Sequence, residues 1–192
     1  MEAIKGYENA KVIAAREQLP KGGYILKVLD VKEEKTDRAH YLKISFDIND
    51  GEYIDFYKRD YQNQQCEDKY WKGFINVFIP KEGDTYYENN LSRFKTIISD
   101  FEESNNNFHW DWDETKLKGK VIGGVFGVEI KAKEDGSTYS YTLCRYLTSV
   151  ENIQQGKFKM PADKYKNGAS PTSATKPEDN FTIDTDEDNL PF

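Results

Sequence analysis

The most regular pattern in this sequence runs from residue 41 to residue 57: Tyr41-Leu42-Lys43-Ile44-Ser45-Phe46-Asp47-Ile48-Asn49-Asp50-Gly51-Glu52-Tyr53-Ile54-Asp55-Phe56-Tyr57. Apolar and polar residues alternate on both sides of Asn49-Asp50-Gly51, and these three residues tolerate the left-handed conformation of a tight turn. The pattern therefore predicts a β-hairpin. Its buried face is formed by Leu42, Ile44, Phe46, Ile48, Ile54 and Phe56.

The other face of this predicted hairpin carries aromatic rings and cations. It holds Tyr41, Lys43, Tyr53 and Tyr57, and Lys58, Arg59 and Tyr61 follow directly. Single-stranded nucleic acid binds to such a combination because bases stack on rings and phosphates attract cations. Tyrosine also has a high β-propensity and can simply cover the edge of a core. The pattern alone leaves both interpretations open.

Two segments before and after this hairpin predict further elements. The turn Leu19-Pro20-Lys21-Gly22-Gly23-Tyr24 starts the domain, and a strand follows it to Val31. Residues 70–80 are too rich in aromatic and apolar residues to be only a loop. Within them, Trp71 and Phe74 either stack on bases or anchor the segment to the core, and we favour anchoring.

An amphipathic helix is predicted next. Leu91, Phe94, Ile97, Ile98 and Phe101 recur at intervals of three and four residues, with Asn89 or Asn90 available as the N-cap. Ser104-Asn105-Asn106-Asn107 ends this helix. A second hairpin follows, formed by residues 121–130, the turn Glu134-Asp135-Gly136-Ser137, and residues 139–147. Lys131 and Arg145 in this hairpin are further candidates for phosphate contacts.

The order of these elements predicts the fold class. Strand, hairpin, helix, hairpin is the order of an oligonucleotide-binding (OB) fold, a mainly β, five-stranded Greek-key barrel with a helix between its third and fourth strands. A β-rich α+β domain of another topology has the same element order and remains the alternative.

Composition limits the partners of the chain. It has 192 residues, a net charge of −7 and a mean hydropathy of −0.85, which predicts one domain with flexible ends. Residues 176–192 carry six acids and one base, so the rest of the chain has a net charge of only −2. Any nucleic-acid groove must therefore be local. We expect a cytoplasmic protein with no membrane partner, because no signal peptide or 18-residue apolar segment is present.

The sequence contains no convincing catalytic or metal set. His109-Trp110-Asp111-Trp112-Asp113-Glu114 suggests one, but no second segment offers ligands, and Cys66 and Cys144 are isolated. Gly119-Lys120 lacks the rest of a phosphate-binding loop. We therefore predict a non-enzyme without cofactor. A nuclease using Asp111, Asp113 and Glu114 is the disfavoured alternative, and Trp110 and Trp112 are either packing residues or a platform for bases.

The chain ends with Asp184-Thr185-Asp186-Glu187-Asp188-Asn189-Leu190-Pro191-Phe192, an acidic run followed by an apolar plug. This end resembles the C-terminal tails of bacterial and phage single-stranded DNA-binding proteins. The resemblance implies that partner proteins of replication, recombination or repair are recruited through the tail. The implied contact residues are Asp184, Asp186, Glu187, Asp188, Leu190, Pro191 and Phe192.

The body of the chain, residues 19–161, is similar to a family of proteins from phages of Gram-positive bacteria, some described as single-stranded DNA-binding replication proteins. The similarity is carried by Leu19 to Tyr24, Phe46 to Tyr53, Phe94 to Trp112, Leu117 to Phe126, and Ser149 to Gly156. It implies a role in phage DNA replication or recombination, in the host cytoplasm if the protein is phage-encoded. Residues 61–87 match no pattern of the family.

These observations predict three regions: an N-terminal arm (1–19), an OB-fold single-stranded DNA-binding domain (20–160), and a flexible linker with an acidic protein-interaction tail (161–192). DNA would be bound without strong sequence preference. The alternative is an adaptor that binds proteins and no DNA; self-association is left open. The candidate DNA contacts are Tyr41, Lys43, Tyr53, Tyr57, Lys58, Arg59, Trp71, Lys131 and Arg145.

Overall fold

The structure, a computed structural model, describes residues 4–9, 17–37 and 39–170. The described part of the chain is mainly β, with six strands in one sheet and three α-helices. The strands are β1 (Gly22–Lys35), β2 (His40–Ile48), β3 (Phe74–Phe78), β4 (Val121–Ala132), β5 (Thr138–Thr148) and β6 (Lys164–Lys166). The helices are α1 (Phe56–Asn63), α2 (Tyr87–Ser104) and α3 (Val150–Gln154).

The sheet has the strand order β3-β2-β1-β4-β5, and β6 pairs in parallel with the second half of β4. All other pairs are antiparallel. The long strand β1 pairs with β2 and, over its first half, with β4; a bulge between Val28 and Asp30 bends it. Cα atoms of the end strands β3 and β5 come within 8 Å of each other. Among the described residues no ladder joins these two strands.

The core lies on one side of this sheet. Alternate residues of β1 and β2 point into it, including Leu26, Val28, Ile44 and Phe46, all at most 1% exposed. The α2 helix covers this side with Phe94, Ile98 and Phe101, which recur at the spacing of one helix face. Burying each of these large side chains stabilises the fold by roughly 1.5–3 kcal/mol.

The prediction of a second strand in the first hairpin is wrong. Residues 51–55 form turns, and α1 begins at Phe56. Asp47 explains the change, because its carboxylate accepts hydrogen bonds from the backbone N–H groups of Tyr57 (2.9 Å) and Lys58 (3.0 Å) at the start of the helix. Phe56 and Tyr57 are also both buried, which adjacent residues of a half-exposed strand cannot be. The strand that pairs with β2 on the side away from β1 is instead β3.

The other predicted elements agree with the structure, with small corrections. β1, α2 and the β4–β5 hairpin are confirmed. The N-cap of α2 is Tyr86 rather than Asn89 or Asn90, so the helix starts one turn earlier than predicted. The predicted arm falls partly outside the described residues, although Leu19 is buried in the core.

Residues 150–166, which we call the C-terminal strap, cover the outer face of β4 and of the start of β1. The backbone can approach closely because Gly23, Gly123 and Gly127 are at outward positions of these strands. A Cβ on Gly23 would lie 2.8 Å from the ring of Phe158, and one on Gly127 would lie 2.6 Å from Pro161. The prediction of a flexible linker is therefore wrong for residues 161–166, since Pro161 packs on the sheet and β6 follows it.

Candidate nucleic-acid interface

The strap leaves one half of the outer sheet face uncovered, on β1, β2 and β3. Cross-strand pairing places its outward residues in three rows. We call these nine residues the open face: Glu34, Tyr41 and Phe78 in the first row, Lys32, Lys43 and Asn76 in the second, and Asp30, Ser45 and Phe74 in the third.

Three aromatic rings stand on the open face. Phe74 is 40% exposed and Phe78 is 60% exposed, although both belong to a strand whose Val77 is in the core. The ring of Tyr41 lies edge-on to that of Phe78, with centroids 5.8 Å apart. Phe74 and Phe78 are four residues apart, about 13 Å along the strand. Bases can therefore stack on both ends of β3.

Cations lie between these rings. The Lys43 ammonium sits 5.0 Å from the centroid of the Phe74 ring and 3.9 Å from a Glu34 oxygen, and it is directly opposite Lys32 in the ladder. Lys32 in turn lies 3.7 Å from Asp30. These ion pairs are solvent-exposed and weak, so phosphate can compete for both lysines. The hydrogen bond from the Tyr41 hydroxyl to Glu34 (2.7 Å) raises the pKa of this tyrosine, so the ring stays neutral.

The open face continues into a cavity of about 430 Å³ where the sheet meets the start of α1. Lys27 and Asp47, the next outward pair of β1 and β2, are in its wall. Leu29, Ile54 and Trp71 give it apolar surface, and Lys58 gives it a second cation. The volume lies in the range of small-molecule sites.

Three of the aromatic residues that were predicted to contact DNA pack against the core or anchor a segment to it. Tyr57 is only 6% exposed and packs against Phe46 with ring centroids 5.8 Å apart, so its predicted place on an open face is wrong. Tyr53 packs against the core and Tyr24. Trp71 donates its indole N–H to the carbonyls of Phe46 (3.1 Å) and Gly73 (3.0 Å), which confirms anchoring, while its ring also lines the cavity.

Four predicted cations differ in their availability. Lys58 is exposed beside the cavity, with Asp55 at 3.8 Å. Arg59 is engaged by Glu17 (3.2 Å) and donates to the carbonyl of Ile54. Lys131 and Arg145 are not on the open face, because they belong to the β4–β5 hairpin and lie 3.7 and 3.9 Å from the buried carboxylate of Glu129.

Glu129 is the centre of a charge cluster on the β4–β5 hairpin. Lys166 of β6 lies 3.0 Å from it and Tyr141 donates to it. Burial would raise the pKa of Glu129, but the hydrogen bonds from Tyr141 and Lys166 and the charge of Lys131 together hold it below its usual value. Glu129 is therefore ionised at neutral pH and fixes the predicted cations in the fold.

Phe78 was missed by the sequence interpretation, and Phe74 was assigned an anchoring role. The alternation in Phe74-Ile75-Asn76-Val77-Phe78, with only its second and fourth residues facing the core, was the available signal. The strand is five residues long and follows a segment without a recognisable pattern, so the direction of each side chain could not be assigned.

Two further features of the described residues concern metal ions and membranes. Within these ranges no group of three or more His, Cys, Asp or Glu side chains could hold a metal ion. None of the described helices combines the length and hydrophobicity needed to cross a bilayer. The acidic tail lies outside the described residues. No protein-family model and no curated protein sequence matches this chain.

Proposed function

We propose that the open face binds single-stranded DNA, without strong sequence preference, in replication or recombination of phage DNA. The observation that carries this proposal is the pair of exposed rings, Phe74 and Phe78, on a sheet face that also bears Tyr41, Lys32 and Lys43. Base stacking on aromatic side chains is tolerant of sequence because every base has a π-face.

The fold supports the same function. We propose that the bent sheet is an OB-fold barrel, because β1 pairs with both β2 and β4, β3 and β5 approach each other, and α2 lies between β3 and β4. OB-folds bind oligonucleotides on the face of their second and third strands. The open face occupies those two strands and the adjoining half of β1.

The cavity extends the proposed path of the strand. A base inserted beside Trp71 would leave its phosphates near Lys27 and Lys58. From there the strand would pass Phe74 and Lys43 and reach Tyr41 and Phe78. This path excludes Tyr57, Lys131 and Arg145 from direct contact and keeps Tyr41, Lys43, Lys58 and Trp71 as proposed contacts.

Phe78→Ala tests the proposal. A stacked ring contributes roughly 1–3 kcal/mol to binding, so the affinity for oligo-dT should fall about fivefold or more in a fluorescence-anisotropy titration. Tyr86→Ala is the matched control, because Tyr86 is an exposed ring (67%) that lies outside the open face. If both variants bind oligo-dT as the wild type does, the open face is not the DNA site. If the wild type itself does not bind, the adaptor alternative is favoured.

We also propose, from the sequence alone, that the terminal Leu190-Pro191-Phe192 plug recruits partner proteins. Deletion of Phe192 keeps the charge of the tail and removes the ring that would fill a partner's pocket. DNA affinity should then be unchanged, while capture of replication or repair proteins should be lost in a pull-down. Capture equal to that of the intact protein would contradict this role.

A further inference from the structure

The loop between α2 and β4 presents an exposed tryptophan on an unusual backbone. Trp112 is 80% exposed, and its φ of 69° places this bulky residue in the left-handed region. That conformation is unfavourable for a side chain with a large Cβ substituent, so it persists only where neighbouring contacts impose it. We call residues 108–114 the Trp112 loop.

Several contacts hold this loop in one conformation. Asp113 accepts hydrogen bonds from the backbone N–H (3.1 Å) and the hydroxyl of Thr115, and Asp111 pairs with Lys116. On the other side, Glu102 of α2 accepts the backbone N–H of Trp110 at 2.8 Å. The pairing with Lys116 lowers the pKa of Asp111, so this contact persists at neutral pH.

Two further contacts complete the support. The same Glu102 oxygen lies 2.8 Å from His109 Nδ1. Trp110 packs against the core, and its ring centroid is 6.3 Å from that of Trp112. The loop therefore presents the Trp112 indole from a rigid base. Binding through a preorganised ring loses little conformational entropy.

The charge around Trp112 identifies the kind of partner. The segment from Glu102 to Lys120 carries five acids and three lysines, and three of the acids adjoin the indole in sequence: Asp111 and Asp113 are its chain neighbours, and Glu114 follows. Lys116 and Asp111 offset each other, Lys118 lies 3.9 Å from Asp30, and Lys120 lies over Phe108 at 4.9 Å, so these lysines do not offset the charges of Asp113 and Glu114. Phosphates would be repelled here. Residues 176–192 of this chain, with a net charge of −5, would be repelled for the same reason.

We propose that the Trp112 loop is a docking surface for a basic protein, which receives the indole in an apolar pocket rimmed by lysine or arginine. Tryptophan is enriched among the residues that dominate protein interfaces, and acidic neighbours orient a positively charged partner. This proposal does not depend on the proposed DNA binding.

The test uses the full-length protein as bait for a random peptide library displayed on phage, with counter-selection against Trp112→Ala. The selected peptides should combine lysine or arginine with apolar residues. A synthetic copy of one should bind the wild type in a salt-dependent manner and lose roughly tenfold or more in affinity for Trp112→Ala. Tyr86→Ala, an exposed ring at the other end of α2, should bind this peptide like the wild type.

Two further measurements test whether nucleic acid or a second copy of this chain binds to the Trp112 loop instead. Trp112→Ala should leave oligo-dT affinity unchanged, because phosphates are repelled from this loop; a loss would make Trp112 a platform for bases and overturn the proposal. Light scattering should give the same molar mass for wild type and variant. A mass that falls on mutation would identify a second copy as the occupant. Selection of acidic peptides, or of none that depends on Trp112, would also overturn the proposal.

Discussion

Replacement of Glu129 by glutamine should destabilise the β4–β5 hairpin strongly. The Glu129 side chain is only 5% exposed and faces Lys166 at 3.0 Å, Lys131 at 3.7 Å and Arg145 at 3.9 Å. With an effective dielectric constant of about 20, each of these pairs attracts by roughly 4–6 kcal/mol. Desolvation of the carboxylate and the partial exposure of Lys166 offset much of this. We expect a net loss of about 2–4 kcal/mol in the free energy of unfolding at pH 7.

The dependence on pH gives this prediction a definite sign. The pKa of Glu129 in the folded protein lies below its usual 4.5, so the stabilisation is complete at pH values above 4.5 and is lost as pH falls through the folded-state pKa. The difference in stability between wild type and Glu129→Gln should therefore shrink in acid. Urea unfolding followed by circular dichroism at pH 7 and at about pH 3 measures it.

Glu134→Gln is the control for this experiment, since Glu134 is exposed in the turn of the same hairpin. It should change the free energy of unfolding by less than about 0.5 kcal/mol. The reasoning is refuted if Glu129→Gln is as stable as Glu134→Gln at pH 7. It is also refuted if the deficit of Glu129→Gln is the same at both pH values.

Three further predictions concern the fold. Burial raises the pKa of Asp100 to about 6, so its ionisation above that pH disfavours the folded state; Asp100→Asn should melt above the wild type at pH 7 but not at about pH 4, and an equal effect at both pH values would contradict this. Trp71→Phe removes the donor to the carbonyls of Phe46 and Gly73 and should lower the free energy of unfolding by about 1–2 kcal/mol in urea; no loss would mean that the anchor is dispensable. Gly127→Ala places a methyl 2.6 Å from Pro161 and should speed proteolytic cleavage within the strap, whereas unchanged cleavage would show that the strap adapts.

The sequence predicted those elements whose pattern is local. β2 and the β4–β5 hairpin alternate regularly, and the apolar residues of α2 follow the helical period, so the patterns were sufficient. Residues 53–57 also alternate, but Asp47, ten residues away from Tyr57, binds their backbone and starts a helix. Such a tertiary hydrogen bond has no periodic signature. The strap depends on the fit of Pro161 to Gly127, which is equally invisible in either segment alone.

The sequence predicted only part of the candidate site, because contacts between distant segments also decide which of its side chains are available. Tyr41 and Lys43 are outward residues of a strand with a regular pattern, and their place on the outer face is confirmed. Lys131 also points outward, but the pattern could not show that its ammonium group forms an ion pair with the buried carboxylate of Glu129. Phe78 belongs to a short edge strand. The strand that it pairs with, β2, was predicted to pair with a different segment. The DNA contacts themselves remain predictions.

The most direct test of the open face is a nuclear magnetic resonance titration of the isotope-labelled protein with oligo-dT. Backbone amide shifts should change along β2, β3 and the second half of β1, with the largest changes near Lys43, Phe74 and Phe78, and at Lys27 and Lys58 around the cavity. Amides of the β4–β5 hairpin near Glu129 should be unaffected. Changes concentrated at that hairpin, or absent from β3 at saturating DNA, would contradict the proposed interface.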